Sequence, residues 1–282
     1  MDMAGGARTT AAAQRQQLVE TVVANDFHHR KASLAHDFAL FSVPGHDDQL
    51  GHCGLLYERL SPCRVDARFA RCPWVGLSAD RLRADLDSLA AIEPAFGEAI
   101  TRAGYPEPRI RPRGHETLLR TIVGQQVSYK AADAVWKKIE ATLGGDAGDT
   151  AAWAAASDEM LRGAGLSRQK MGYSRSLCEL VASGELDLAN LPADDEAAIA
   201  QMVKVKGIGR WSAEIYLLFA EGRPDIWPAG DLAVQIEVGR ILGMDARPSE
   251  KLTREVAEAW RPYRGAAAIF AWHHYGTDMA VI

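Results

Sequence analysis

Long apolar runs are missing from this sequence of 282 residues. No run approaches the roughly 20 apolar residues that a helix needs to cross a bilayer. The first 17 residues also lack the apolar centre of a secretory signal peptide. With 48% hydrophobic residues the chain can still bury a sizeable core, and its length predicts one or two domains. We therefore expect a cytoplasmic protein without a membrane partner.

Cysteine is scarce, and its spacing excludes two kinds of site. Cys53, Cys63, Cys72 and Cys178 form no C-x-x-C pair. This pattern indicates neither a disulfide framework nor an iron–sulfur cluster. A zinc site built from His52 and the first three cysteines would lack closely paired ligands, so free thiols are the better interpretation.

An excess of positive charge is also missing. The 32 Lys and Arg residues stand against 37 Asp and Glu residues, which gives a net charge of -5. The molecule as a whole would repel nucleic acid, so any affinity for DNA must come from a local basic surface.

Residues 204–213, with the sequence KVKGIGRWSA, have the composition of such a local surface. Gly207 and Gly209 allow positive φ and remove Cβ atoms that would hold another backbone away. A helix beginning near Arg210 would present free N–H groups and the positive end of its dipole to an anion. Lys206 and Arg210 add charge nearby. The segment therefore predicts a turn that grips a DNA phosphate.

A single carboxylate follows this segment. Asp231 lies 20 positions after Trp211 and directly before the apolar helical pattern LAVQIEV. Asp is favoured at a helix N-cap, and both the cap and the helix dipole favour its ionised form. An ordinary N-cap and a working carboxylate are compatible interpretations of Asp231.

From residue 77 onward the apolar periodicity is helical, and no period-2 pattern has comparable strength. We predict an all-α fold with Asp194 or Asp195 as the N-cap of the helix before the glycine turn. The predicted helices are 79–89, 94–103, 115–142, 157–164, 170–183, 195–203, 210–220, 231–242, 249–260 and 263–274.

Residues 1–74 have little sustained periodicity. We interpret them as an irregular N-terminal extension that is either mobile or an over-long assigned start. A short helix over residues 14–24 is the one element expected there.

Several segments together resemble a known family. Residues 205–213 and 228–231 are similar to the helix–hairpin–helix and Gly/Pro…Asp signature of base-excision DNA glycosylases, and most resemble the alkyladenine type. Three further segments agree in order and spacing: 121–128 (TIVGQQVS), 165–170 (GLSRQK), and 260–264 (WRPYR) continuing to Trp272. The resemblance implies two helical lobes with the active cleft between them. One lobe would comprise residues 113–230, and the other residues 75–112 plus 231–282.

The resemblance also implies a reaction. The enzyme would flip a nucleotide out of duplex DNA and hydrolytically remove an alkylated base, chiefly of the 3-methyladenine type, in base excision repair of alkylation damage. Asp231 would stabilise the positive charge that develops on the sugar, or orient the attacking water. Strand-cutting relatives carry a Schiff-base lysine where this chain has Trp211, so we predict a monofunctional enzyme.

Other positions receive roles from the same resemblance. Gln126 would fill the gap left by the flipped base. Ile215 stands where the better-known alkyladenine enzyme has an aromatic residue, which would alter the base preference. The base pocket would contain Trp211, Trp272 and Tyr216, and the DNA contacts would come from Gln126, Lys170, Lys206, Gly207, Gly209, Arg210 and Ser212.

The resemblance implies no organic cofactor and no iron–sulfur cluster. It does imply a sodium or potassium ion held by the main-chain carbonyls of Val203, Val205 and Ile208. Double-stranded DNA containing damaged bases is the expected partner, which would bring the protein to the nucleoid, and a monomer is the default for this class. Two alternatives stay open: a glycosylase for deaminated or oxidised bases, and a non-catalytic helix–hairpin–helix module that only clamps DNA.

Overall fold

The computed structural model describes residues 76–279. The interpretations of residues 1–74, of helix 14–24 and of the three N-terminal cysteines fall outside that range. Within it every regular element is a helix, which confirms the all-α prediction. None of the helices described there is long and apolar enough to cross a membrane.

Twelve α-helices and a 3₁₀ segment make up the described fold. They are α1 Ala79–Ile92, α2 Pro94–Ala103, α3 His115–Gly124, α4 Tyr129–Thr142, α5 Thr150–Ala155, α6 Asp158–Gly163, α7 Arg168–Ala182, α8 Asp195–Met202, α9 Arg210–Phe219, α10 Leu232–Ile241, α11 Glu250–Val256, the 3₁₀ helix Ala257–Trp260, and α12 Arg264–Met279.

Short polar side chains start most of these helices. Each accepts a hydrogen bond from a backbone N–H two or three residues ahead, which satisfies one of the donors that a helix start leaves without an intrahelical partner. Asp194, and not Asp195, caps α8 in this way. The capping side chains are Ser78, Ser128, Asp149, Ser157, Ser167, Asp194, Asp231 and Ser249.

Two predicted helices are interrupted. The single helix expected over 115–142 is wrong, because α3 ends at Gly124 and α4 begins only after the Ser128 cap. Gln126, between them, has a φ of 57° that no α-helix accommodates. The helix expected over 249–260 likewise divides into α11 and the 3₁₀ segment, and α5 was not predicted.

The C-terminal helix α12 completes the core that supports the site. It packs against α1, α2 and α10. Near its start, Arg264 holds the Asp225 carboxylate with two contacts of 2.8 and 2.9 Å. A Cβ on Gly265 would lie 2.6 Å from the Pro224 carbonyl oxygen, so only glycine allows this close approach. These contacts fix α12 beside the loop that leads to Asp231.

Aromatic rings fill the space behind this loop. The Trp260 ring lies 5.0 Å from that of Phe96 and 5.5 Å from that of Trp227, both edge to face. Helices α1, α2, α10 and α12 therefore share one buried region, as the lobe of 75–112 plus 231–282 would require. The division into two lobes itself stays a prediction.

Candidate active site

Asp231 lies at the start of α10 and points inward. Its Oδ1 accepts the backbone N–H of Val234 at 3.0 Å, so the predicted N-cap is present. Its residue exposure is only 6%. A carboxylate in this position is oriented by the helix it begins, and its two oxygens have little rotational freedom.

Two tryptophans donate to this carboxylate. The indole Nε1–H of Trp211, on α9, lies 2.9 Å from Oδ2. The indole of Trp272, on α12, donates to Oδ1 at 3.2 Å. The structure therefore brings together three residues that the sequence separates by 20 and 41 positions. Trp211 is half-buried, whereas Trp272 is 3% exposed.

Burial dominates the electrostatics of the carboxylate. It raises the pKa of Asp231 above its ordinary value, although the hydrogen bonds from Val234, Trp211 and Trp272 oppose the shift. The N-cap favours the ionised form, as expected, because the hydrogen bond from Val234 lowers the pKa of Asp231. The loss of hydration outweighs this effect, so the net shift is upward.

The remaining aromatic candidates differ in their surroundings. Tyr216 is 2% exposed, and its hydroxyl accepts the N–H of Gly114 at 2.8 Å. Its ring is thus part of the core, and Ile215 beside it is also buried. Tyr275 is half-buried, and the charges of Asp231 and Glu237 help to raise its pKa after the larger effect of burial. It is the more accessible aromatic neighbour of the carboxylate.

The glycine turn has one constrained and one open position. Gly207 has a φ of 83°, and a Cβ there would lie 2.2 Å from the Tyr173 ring. Gly209 has a φ of -89°, so of the two glycines Gly207 alone adopts the positive φ that glycine allows. A Cβ on Gly209 would meet no atom within 4 Å among the described residues. Gly207 serves the fold, while the surface above Gly209 is open.

Helix α9 begins after a glycine, which has no side chain to cap it. Gly209 is its N-cap, and no side chain within the described region caps this helix. Such a helix start attracts anions through its N–H groups and its dipole. Lys206 is exposed, with its backbone N–H bonded to the Ser176 hydroxyl at 3.1 Å, and Ser212 is half-buried in the first turn of α9.

The Arg210 side chain is already engaged by carboxylates. Its Nε lies 2.8 Å from Glu214, and its two terminal nitrogens hold Glu196 in a bidentate pair. Glu196 is exposed and Glu214 is buried. The guanidinium predicted to grip phosphate therefore faces protein carboxylates in this structure.

Sequence reasoning missed Glu214. It is 2% exposed, and burial raises its pKa to about 7 against the opposing charges of Arg210 and Arg254. Arg254 reaches onward to Glu250, whose carboxylate lies against Gly230. The spacing of four between Arg210 and Glu214 on one helix was a visible signal. This chain of charges links the glycine turn to the residue before Asp231.

Gln126 occupies an exposed turn between α3 and α4. Its φ of 57° makes it the one non-glycine residue with positive φ within residues 76–279. Lys170, expected to touch DNA, donates from Nζ to the Val123 carbonyl at 2.7 Å instead, and burial lowers its pKa. The ammonium thus supports the end of α3.

The three carbonyls proposed for a cation lie in one short segment. Val203 follows α8, and Ile208 directly precedes the N-cap of α9. The Val205 carbonyl accepts the N–H of Ile208 at 3.0 Å. Within the described residues, the carbonyls of Val203 and Ile208 accept no hydrogen bond from a backbone N–H. Their lone pairs therefore suit a hard cation.

Known proteins resemble this chain in sequence and in fold. The YfjP protein of Bacillus subtilis is 30% identical over 113 residues, which cover 40% of this chain and 39% of that protein, so the match spans well under two thirds of its length. DNA-3-methyladenine glycosylase 1 of Schizosaccharomyces pombe is 28% identical over 161 residues, 56% of this chain and 71% of that protein.

A solved structure extends the comparison. The DNA-3-methyladenine glycosidase of Bacillus halodurans is 32% identical and superposes with a TM-score of 0.64 over 70% of this chain and 91% of that one. The profile of the HhH-GPD superfamily base excision DNA repair proteins matches residues 119–262, which include the glycine turn, Trp211 and Asp231. The chain therefore belongs to the HhH-GPD superfamily of base excision DNA repair proteins.

Proposed function

We propose that this protein is a monofunctional DNA glycosylase that removes alkylated bases, chiefly 3-methyladenine-type lesions, from duplex DNA by hydrolysis. The observation that carries the proposal is the buried carboxylate of Asp231, held between the indoles of Trp211 and Trp272. The names of the yeast and B. halodurans relatives, which cite 3-methyladenine, support the lesion class.

The geometry suits the charge that develops during base removal. Breaking the bond between base and sugar leaves oxocarbenium-like positive charge on the sugar, which a fixed carboxylate in a site of low dielectric stabilises. An alkylated purine already carries positive charge and leaves readily, so a strong acid is less necessary. The indole face of Trp211 would favour such an electron-poor base by stacking and cation–π attraction. Trp272, which is 3% exposed, contributes its N–H to the carboxylate.

The product follows from the residue at the hairpin. Trp211 offers an N–H donor to Asp231 and no amine that could attack the sugar. Water is therefore the nucleophile, and the product is an abasic site in an uncut strand. The sequence alone led to the same conclusion.

Duplex DNA would meet the protein at the glycine turn. The uncapped start of α9, the open surface above Gly209 and the exposed Lys206 provide N–H groups and charge for one phosphate. Gln126 projects from a neighbouring exposed turn and would enter the space vacated by the flipped nucleotide. We propose a monomer, because one chain supplies every one of these parts.

A sodium or potassium ion would suit the carbonyls of Val203, Val205 and Ile208. When bound, it adds positive charge beside the start of α9 and so strengthens the attraction for phosphate. Replacing Na⁺ and K⁺ by a bulky organic cation at constant ionic strength should then weaken DNA binding. Unchanged binding would exclude the ion from the DNA contact.

The test of the function is base release from methylated duplex DNA by the wild type and by Asp231→Asn. Only the wild type should release 3-methyladenine, and strand breaks should appear only after alkali treatment. Asp194→Asn is the matched control, because Asp194 also caps a helix but lies outside the site; it should keep full activity.

Other outcomes would select other functions. Release of deaminated or oxidised bases, but not of methylated purines, would shift the substrate class. DNA binding equal in both proteins, with no release from any substrate, would indicate a clamp. Breaks without alkali, or trapping of the protein on DNA by borohydride, would overturn the argument from Trp211.

A further inference from the structure

We propose that Gln125 is a positioning residue that holds the Gln126 turn in register with the glycine hairpin. Its side-chain Nε2 donates to the Gly207 carbonyl at 2.7 Å, across 82 positions of sequence. The proposal rests on the function above, because Gln126 is taken as the residue that enters the duplex. Gln125 itself contacts neither the base nor the reacting atoms.

The turn needs an external support. Gln126 adopts a left-handed conformation that is unfavourable for a residue with a Cβ atom. The backbone bonds around it are long: Gln125 N–H to Ile122 at 3.3 Å, and Val127 N–H to Gly124 at 3.4 Å. A strained conformation of this kind persists only when the surroundings hold it. The shorter bond from the Gln125 amide is one such constraint.

The acceptor of that bond is itself fixed. Gly207 packs against the Tyr173 ring so closely that no Cβ would fit, and the N–H of Lys206 bonds to the Ser176 hydroxyl at 3.1 Å. Both supporting side chains come from α7. The Gly207 carbonyl therefore has a defined position before DNA arrives.

The same helix also supports the other end of the turn. Lys170, near the start of α7, donates to the Val123 carbonyl at 2.7 Å. Helix α7 thus contacts both the hairpin and the end of α3, and Gln125 joins the two directly. The distance between the inserting side chain and the phosphate-binding N–H groups is consequently set in the free protein, which lowers the cost of inserting Gln126 into DNA.

Two variants separate positioning from folding. Gln125→Ala removes the donor, and Gln125→Glu keeps the shape but places an acceptor against the Gly207 carbonyl. Gln201→Ala is the matched control, because Gln201 also donates from Nε2 to a backbone carbonyl, that of Glu185 at 2.9 Å, away from the turn. Equal thermal unfolding of all variants and the wild type would show that the fold is kept.

Insertion can be read without any base release. In a duplex with 2-aminopurine opposite a stable abasic analogue, entry of Gln126 should change the fluorescence. We expect both Gln125 variants to require about tenfold more protein for this change. For Gln125→Ala, binding to undamaged duplex should change less than about twofold, because the phosphate contacts are intact; the added charge of Gln125→Glu should weaken it. Gln201→Ala should match the wild type in both measurements.

The activity of the same proteins gives the second readout. On methylated duplex, kcat/KM should fall about tenfold in both Gln125 variants. On methylated single strands, which require no insertion, it should stay unchanged. Equal losses on single and double strands, wild-type behaviour of Gln125→Ala, or no fluorescence change with the wild type would each overturn the proposal. Absence of base release by the wild type would refute the proposed function alone, since the fluorescence measurement still tests Gln125.

Discussion

The indole N–H of Trp211 lies 2.9 Å from Oδ2 of Asp231, and so couples the hairpin helix directly to the buried carboxylate. The ring thus has two uses. Its N–H stabilises the negative charge of Asp231, and under the proposed function its face would stack on an extruded base.

Trp211→Phe should move the acidic limb of the pH–kcat profile to higher pH. The hydrogen bond from Trp211 lowers the pKa of Asp231, so its loss adds to the upward shift that burial already causes. Because the proposed reaction uses the ionised carboxylate, activity should disappear at a higher pH as the solution is acidified. The measurement is single-turnover base release between pH 4.5 and 8.

Trp153→Phe is the control for that experiment. Its indole also donates from a buried position, to the Ala147 carbonyl at 2.8 Å, but belongs to α5. The profile of this control should coincide with that of the wild type. If the acidic limb of the pH–kcat profile did not shift in Trp211→Phe, a group other than Asp231 would control the loss of activity at low pH.

Replacing the two glycines of the hairpin by alanine should affect different properties: stability at Gly207 and DNA binding at Gly209. Gly207→Ala places a Cβ against the Tyr173 ring at a φ of 83°, so unfolding should become easier by more than about 1–2 kcal/mol. Gly209→Ala should leave stability within about 0.5 kcal/mol, because its conformation is ordinary and its Cβ meets open space. It should nevertheless weaken DNA binding, since the added methyl group occupies the surface offered to phosphate. Denaturant unfolding and DNA titration of both variants decide this; full binding by Gly209→Ala would place the phosphate elsewhere.

Glu196→Gln should tighten DNA binding. Glu196 is exposed and holds the guanidinium of Arg210, so removing its charge frees a cation beside the hairpin. The slope of log Kd against log salt should steepen by up to about one unit. Lys206→Ala should flatten it by a similar amount. A slope unaffected by Glu196→Gln would mean that Arg210 serves only to neutralise Glu214.

Glu214→Gln should alter the pH dependence of stability. Folding raises the pKa of Glu214 from 4.5 to about 7, so the native state favours the protonated carboxyl. This contribution to stability is complete below about pH 4.5 and is lost as the pH rises through 7. The free energy of unfolding of the variant, relative to the wild type, should therefore rise by about 3 kcal/mol between pH 4.5 and 8. Chemical denaturation at several pH values provides the measurement. If the free energy of unfolding changed equally with pH in the variant and the wild type, the raised pKa of Glu214 would be refuted.

Local patterns in the sequence predict much of this structure. Helical periodicity predicts the all-α fold, and the cap preference of Asp places Asp231 at the start of α10. The hairpin and Asp231, 20 positions after Trp211, are part of the resemblance to the superfamily, and the profile match over residues 119–262 includes both. These features depend on residues close together in the chain.

The features that the sequence did not predict depend on contacts between residues far apart in the chain. Gly124 and Ser128 are visible signs of a break in the helix, but the left-handed conformation of Gln126 depends on the hairpin 82 positions after Gln125. Tyr216 has the helical position of a pocket residue, yet its hydroxyl reaches Gly114, 102 positions earlier. The engagement of Arg210 by Glu196 likewise requires the fold. The assignments of Asp231, Trp211 and Trp272 to chemistry stay predictions until the variants are measured.

Helix α12 has a consequence for how the protein is made. Trp272 supplies an N–H to Asp231, His274 bonds to the fully buried Glu237 at 2.6 Å, and His273 reaches the Ala103 carbonyl at 2.9 Å. Ribosomes must therefore finish residues 264–279 before α1 and α2 gain their packing partner. The side chains that support the hairpin, Gln125, Tyr173 and Ser176, all precede it in the chain. Contacts of long sequence separation slow folding, so we expect the hairpin to form before the surroundings of Asp231 are complete.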